Sequence, residues 1–111
     1  MPLIDPSELP ARQPRPGWIG RFFHSDNMTF AYYEVAPHSE VHRHHHPQEE
    51  VWHIIEGELE MSIGDAVMVV RAGQAAVVPA GVEHSARANG PCRAIVVEHP
   101  LRQFVGGIDI R

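Results

Sequence analysis

The segment Pro37–Gly57, PHSEVHRHHHPQEEVWHIIEG, contains six of the nine histidines of this 111-residue chain, and five of the six lie between His38 and His46. Imidazole is the commonest protein ligand of transition metals, and the carboxylate of Glu50 follows His46 at close spacing. A metal site is therefore the first hypothesis that the sequence suggests.

Strand alternation divides the histidines between two faces. If residues 41–46 form a strand, His42, His44 and His46 point to one face, while Arg43 and His45 point to the other. Proline and glutamine at positions 47 and 48 then turn the chain into the next segment. This reading predicts three imidazoles on the inward side of the strand.

Glu50 begins the next predicted strand, on the same face as Trp52. Two histidines and one carboxylate with open coordination positions form a set that non-haem iron enzymes use. His84 follows the turn sequence Pro79-Ala80-Gly81 and can add a fourth ligand from a neighbouring strand. The residues alone leave open which two histidines of the cluster bind the ion.

The rest of the chain from Trp18 onward is a series of short strand-like segments separated by turn residues. Apolar and polar residues alternate over 58–63, and no segment shows a sustained helical period. This pattern predicts an all-β sandwich or barrel. The predicted strands are Trp18–His24, Met28–Ala36, Val41–His46, Val51–Glu56, Glu58–Ile63, Ala66–Arg71, Ala75–Val78, Glu83–Ala88 and Cys92–His99.

We expect residues 1–17, with five prolines, to form an extended arm that lies over the domain or across a partner subunit. Residues 18–111 then form a single domain. The N-terminus has no apolar core typical of a signal peptide, and the single Cys92 has no internal disulfide partner. These features predict a cytoplasmic protein in which Cys92 is a buried, unreactive thiol.

The charged residues exclude several classes of function. The chain has no lysine, so Schiff-base chemistry, pyridoxal phosphate anchoring and P-loop phosphate binding are excluded. The net charge is −5 and the arginines are scattered, which argues against a nucleic-acid or membrane-surface partner. No apolar run approaches the roughly 20 residues that span a bilayer. A small molecule is therefore the expected partner.

Two motifs carry a family resemblance. The first motif of this chain is His44-x-His46-x3-Glu50-x6-Gly57, and it resembles the opening motif of the cupin superfamily. The second is Gly73-x5-Pro79-x-Gly81-x2-His84, and it resembles the closing motif of that superfamily. The chain departs from the pattern at His38, where the first motif usually has glycine, and at Ala88, where the second often has asparagine. The resemblance extends from Trp18 to His99 and leaves the ligand positions intact.

The resemblance implies a small antiparallel β-barrel, the jelly roll or double-stranded β-helix. It also implies one divalent transition metal (iron, manganese, nickel, zinc or copper) bound by His44, His46, Glu50 and His84. Many small cupins are homodimers, and we expect a homodimer here. The motif spacing favours His44 and His46 over the pair His42 and His44.

His42 is then a surplus histidine beside the site, either a catalytic base or substrate contact, or a histidine that supports the ligands by hydrogen bonding. The segment 29–35 places one tyrosine on each face, and we predict that Tyr32 and Trp52 line a substrate pocket.

The resulting hypothesis is a mononuclear 3-His/1-Glu metalloenzyme, of dioxygenase type or a Lewis-acid isomerase, cyclase or lyase, acting on a small organic molecule. The alternatives are a non-catalytic cupin that binds or senses a small ligand through its metal, and a structural barrel whose histidines bind metal adventitiously.

Overall fold

The computed structural model describes residues 3–110, and within that range the chain is almost entirely β-structure. A short 3-10 helix, Pro6–Glu8, precedes the strands. The strands are β1 (Arg12–Arg15), β2 (Trp18–His24), β3 (Thr29–Val35), β4 (Glu40–His44), β5 (Glu49–Glu56), β6 (Glu58–Ile63), β7 (Ala66–Arg71), β8 (Ala75–Val78), β9 (His84–Ala88), β10 (Cys92–His99), β11 (Phe104–Val105) and β12 (Ile108–Asp109).

Two antiparallel sheets form the jelly roll that the sequence predicted. One has the strand order β1-β2-β3-β10-β5-β8 and the other the order β4-β9-β6-β7. A hairpin of β11 and β12 follows, and the sequence analysis did not predict it. No helix in the described range is long and apolar enough to cross a membrane.

The core lies between the inward faces of the two sheets. The alternation predicted for 58–63 is confirmed, because Leu59 and Met61 of β6 are fully buried while Glu60 between them is exposed. Ile54 of β5 is equally buried in the facing sheet. Burying an aliphatic side chain of this size stabilises the fold by about 1.5–3 kcal/mol. The core therefore holds the two sheets together around the site.

The proline-rich segment contributes to the main sheet. Residues Arg12–Arg15 pair antiparallel with β2, in a register that places Arg15 opposite Trp18. The predicted boundary at Trp18 therefore falls between two paired strands, and these four residues lie against the domain as an edge strand. The structure describes one copy only, so crossing to a partner subunit stays a prediction.

Cys92 is buried at the start of β10, and burial raises the pKa of its thiol to about 11. A thiol with this pKa is protonated at neutral pH and reacts slowly. The prediction that Cys92 is buried is confirmed, and its low reactivity stays a prediction.

His38 adopts the backbone conformation that glycine favours. Its φ is +65°, and it is the only non-glycine residue with positive φ in residues 3–110. The turn forms because the His38 N–H donates to the Ala88 carbonyl at 3.0 Å, while the Ala88 N–H donates to the Ser39 carbonyl, also at 3.0 Å. The two departures from the family pattern therefore meet at one turn.

We expect His38→Gly to stabilise the protein by about 0.5–1 kcal/mol. The substitution removes a left-handed strain of about 1–2 kcal/mol, offset in part by the greater entropy of glycine in the unfolded chain. Urea unfolding of the metal-free protein measures the change. The matched control is His53→Gly, an exposed histidine of β5 with ordinary φ, which should destabilise the protein. Equal losses in both variants would contradict the assignment of strain to His38.

Candidate metal centre

A β-bulge in β4 decides which histidines face the barrel interior. Val41 pairs with Ala86 and His44 with His84, so three steps along β4 match two steps along β9. The extra residue shifts the alternation by one position, as bulges do. Val41 and His44 therefore both line the interior.

His42 consequently lies outside the cavity, and the prediction that it shares an inward face with His44 and His46 is wrong. Its side chain is exposed, and its ring centre lies 5.4 Å from that of His44. Its backbone carbonyl, not its ring, supports the site, because it accepts a hydrogen bond from His44 Nδ1. A catalytic role for His42 stays a prediction.

The three histidines on the predicted ligand positions share one hydrogen-bonding arrangement. In each, Nδ1 lies within hydrogen-bond distance of a backbone carbonyl two residues away. A carbonyl only accepts, so Nδ1 carries the proton and Nε2 keeps a free lone pair. The distances are 2.7 Å from His44 to the carbonyl of His42, 3.0 Å from His46 to that of Gln48, and 2.9 Å from His84 to that of Val82.

The Nε2 atoms point into a shared buried space. His46 Nε2 lies 3.3 Å from Glu50 Oε2, and His84 Nε2 lies 3.2 Å from Glu50 Oε1. Both nitrogens are buried and neither makes a hydrogen bond. Candidate ligand atoms of His44, His46 and His84 all lie within 4.8 Å of one another. Buried lone pairs that face one another without a proton between them fit a metal ion, and three nitrogens with one carboxylate suit a divalent transition metal.

Glu50 is held as an ionised carboxylate. Burial acts to raise its pKa, but the hydrogen bond with Glu98 and the nearby imidazoles of His46 and His84 outweigh burial and hold the pKa well below its usual value. Trp52 Nε1 donates to Glu50 Oε1 at 2.6 Å and so fixes the orientation of the carboxylate. Trp52 is itself buried and lines the cavity, where the sequence placed it.

Glu98 and Arg102 belong to the same cluster and were missed in the sequence analysis. Glu98 of β10 pairs in register with Glu50, and Arg102 Nη1 lies 3.2 Å from Glu98 Oε2 and 3.8 Å from Glu50 Oε2. Burial, followed by the hydrogen bond and charge of Glu50, raises the pKa of Glu98 to about 9. Alternation along β10 predicts that Glu98 is a polar residue on an otherwise apolar inward face. Only the pairing of β10 with β5 shows that Glu98 lies beside Glu50.

The tyrosine on the cavity wall is Tyr33 and not Tyr32. The inward face of β3 carries Thr29, Ala31, Tyr33 and Val35, all buried. Tyr32 lies half-buried on the outer face, with its ring centre 6.1 Å from that of Phe23. Alternation along the sequence did not show which face of β3 points inward. The packing of the second sheet against the Tyr33 face decides this.

Two separate spaces border the site. The inner cavity, whose wall includes His44, Glu50 and Trp52, has a volume of about 20 Å³, enough for one water-sized body. A larger cleft of about 470 Å³ lies alongside and is lined in part by His46, Arg102 and Phe104. Arg102 borders both spaces. The inner cavity thus fits an ion, and the cleft is large enough for a small organic molecule.

We predict that metal affinity falls as the pH drops from 8 towards 6. Burial lowers the pKa of His44 to about 4, so protons do not compete for this ligand near neutrality. Burial also acts to lower the pKa of His84, but the carboxylate of Glu50, 3.2 Å from Nε2, outweighs burial and raises the pKa above its usual value. A proton on His84 must leave before metal binds, so affinity is lost as the pH falls through that pKa.

Competition titrations with a chelator at a series of pH values measure this loss. Affinity that stays constant between pH 8 and pH 6 would contradict ligation by His84.

The fold and donor set together define a small β-barrel with a candidate mononuclear metal centre. A family model for the Cupin domain matches residues 31–98, and the chain belongs to the cupin family. No curated protein matches the chain in sequence.

Solved structures share the fold. An RmlC-like cupin from Shewanella frigidimarina is 19% identical with a TM-score of 0.82, and the match covers 87% of this chain and 88% of that one. KdgF from Halomonas sp. is 19% identical with a TM-score of 0.81, covering 86% and 90%. Oxalate decarboxylase OxdC of Bacillus subtilis is 20% identical with a TM-score of 0.79, covering 87% of this chain but 29% of the other.

Proposed function

We propose that this cupin is a metal-dependent enzyme that acts on a small organic molecule through one divalent transition metal bound by His44, His46, Glu50 and His84. The observation that carries the proposal is the shared arrangement of the histidines. Each directs Nδ1 to a backbone carbonyl, and the buried Nε2 atoms of His46 and His84 lack hydrogen-bond partners. Leaving two such nitrogens unsatisfied in a protein interior is costly unless an ion binds them.

The protein groups around the site hold the ligands in place. Trp52 orients Glu50, and Arg102 ties Glu98 beside it, so the carboxylate that binds the metal has little freedom to turn away. Outer partners of this kind typically change metal affinity about 10–100-fold when they are removed. When bound, the ion supplies either Lewis acidity or, if it is iron, manganese or copper, redox chemistry.

The cleft beside the site supports a small, partly apolar substrate. Leu101 and Phe104 are exposed there at 39% and 50%, while Arg102 and His46 bring polar groups to its inner end. Small-molecule sites commonly combine an apolar wall with a few polar groups that fix orientation. The choice between oxygenase and isomerase, cyclase or lyase chemistry depends on the metal.

Two assays test this function. Protein purified without added metal is analysed for its bound ion, and oxygen uptake by the iron-loaded form is followed with small phenols and thiols. Manganese- and zinc-loaded forms are assayed in parallel for isomerisation and elimination of small hydroxy acids. We expect turnover by one metal form that His46→Ala abolishes. Loaded protein that binds these compounds but converts none would favour the non-catalytic alternative.

We also propose a cytoplasmic homodimer. The outer face of the six-stranded sheet exposes Val77 at 56% and Ile55 at 41%, and the rings of Phe23 and Phe30 stack there at 4.8 Å. Apolar faces of this kind commonly form subunit contacts. Light scattering that gives twice the chain mass of 12.4 kDa would support the dimer, and the mass of a single chain would contradict it.

A further inference from the structure

Among the arginines of residues 3–110, Arg15 alone makes no hydrogen bond and no ion pair, although the charges of Glu50 and Glu98 act on it. Eight arginines lie in residues 3–110, and seven donate hydrogen bonds or form ion pairs with carbonyl, hydroxyl or carboxylate oxygens. Arg15 makes neither kind of contact within the described range. It is half-buried and lines the inner cavity together with His44 and Glu50.

A half-buried guanidinium without an acceptor is unfavourable, because its five N–H donors lose water without replacement. Lys or Arg at a protein surface normally keeps its charged end in solvent. Arg15 instead lines the cavity with the candidate ligands His44 and Glu50, and its charge interacts with that of Glu50.

Trp18 supplies a second unsatisfied donor to the same cavity. It pairs with Arg15 across β1 and β2, it is 1% exposed, and its indole Nε1 has no hydrogen-bond partner. Both side chains line the cavity, and both groups donate only. Two donors without an acceptor call for a ligand that brings oxygen lone pairs.

The charges of the residues that line the cavity favour a negatively charged ligand. Arg15 and Arg102 together balance Glu50 and Glu98 even if both acids are ionised, so a bound divalent ion leaves a net positive charge. Arginine binds carboxylates bidentately, with bonds stronger than those between neutral groups. The cavity volume of about 20 Å³ holds one water-sized body, so with an ion inside only the carboxylate end of a small acid can reach Arg15, which lies half-buried in the cavity wall.

We propose that Arg15 and Trp18 bind the carboxylate of the substrate, and that the substrate class is therefore small carboxylic acids that carry a second oxygen for the metal. This inference rests on the proposed metal centre and names the substrate class for it. Arg15, His44 and Arg102 are the half-buried residues of the cavity wall, so the acid reaches the site from their side.

Binding of glycolate to the zinc-loaded protein tests the proposal without relying on activity. Both tryptophans of the chain line this cavity, so their fluorescence reports binding there. Glycolamide, which is neutral and nearly isosteric, is the matched ligand. We expect glycolate to bind about tenfold to hundredfold more tightly than glycolamide, and Arg15→Gln to remove that preference.

The variants separate this proposal from the metal site itself. Arg15→Gln should retain the full zinc content, and the control Arg12→Gln, on the exposed part of the same strand, should retain both zinc and glycolate binding. Arg15→Lys keeps the charge but loses the paired donors. Its preference for glycolate should therefore lie between that of Arg15→Gln and that of Arg12→Gln. Wild-type protein that binds no zinc would overturn the metal centre and this proposal with it. Zinc-loaded protein that does not prefer glycolate, or an Arg15→Gln variant that keeps the preference, would overturn the carboxylate site alone.

Discussion

Replacing both His46 and His84 by alanine is expected to abolish stoichiometric metal binding. The two Nε2 atoms lie 3.3 Å and 3.2 Å from the oxygens of Glu50, buried and without hydrogen bonds. Removing them takes half of the four proposed ligands from the ion. Loss of outer-shell partners alone costs about 10–100-fold in affinity, and loss of two direct ligands should cost more than about a hundredfold.

Metal analysis after dialysis against a weak chelator measures this effect. The control is His45→Ala, which removes an exposed imidazole from the same histidine-rich segment. We expect the control to keep one ion per chain. A double variant that retains full stoichiometry while folded, as judged by circular dichroism, would contradict the proposed site.

Gly57→Ala is expected to destabilise the fold by about 2–5 kcal/mol. Gly57 has a φ of +75°, and a Cβ at this position would lie 2.3 Å from the Pro91 carbonyl oxygen and 3.1 Å from Cys92 Cα. The left-handed conformation costs a non-glycine residue about 1–2 kcal/mol, and overpacking against atoms that cannot move adds about 1–3 kcal/mol. The obstructing atoms belong to the backbone that leads into β10, so relief requires movement of the central sheet.

Gly73→Ala is the matched control for this loss. Gly73 has a φ of +85°, but a Cβ there would meet nothing within 4 Å. We therefore expect Gly73→Ala to cost only the left-handed strain, about 1–2 kcal/mol. Urea unfolding of both metal-free variants gives the comparison. Similar losses in the two would show that conformation, and not the close approach of Pro91, makes glycine necessary at position 57.

The four candidate ligands could be predicted because their signal is local. His44, His46 and Glu50 lie within seven residues, and His84 follows a turn whose proline and glycine mark its place. The alternation of apolar and polar residues over β6 likewise predicted a half-buried strand. The ligand motifs and the strand alternation depend on residues that are close together in the sequence, so they can be recognised without knowing the fold.

The errors arose where the structure depends on pairing between distant segments. A bulge between Val41 and His44 turns His42 outward, and no residue type in that segment marks the bulge. The role of Glu98 depends on its register with Glu50, 48 positions earlier in the chain. Arg15 lies in the proline-rich segment predicted to be an arm, and only the pairing of its strand with β2 shows that this residue lines the cavity.

The crystal structure of the metal-loaded protein, with anomalous scattering recorded at the absorption edge of the bound metal, tests the central claim most directly. We predict one strong anomalous peak per chain, about 2.0–2.2 Å from the Nε2 atoms of His44, His46 and His84 and from a carboxylate oxygen of Glu50. A principal peak at the exposed His42 or His45, or coordination through Nδ1 of the buried histidines, would contradict it.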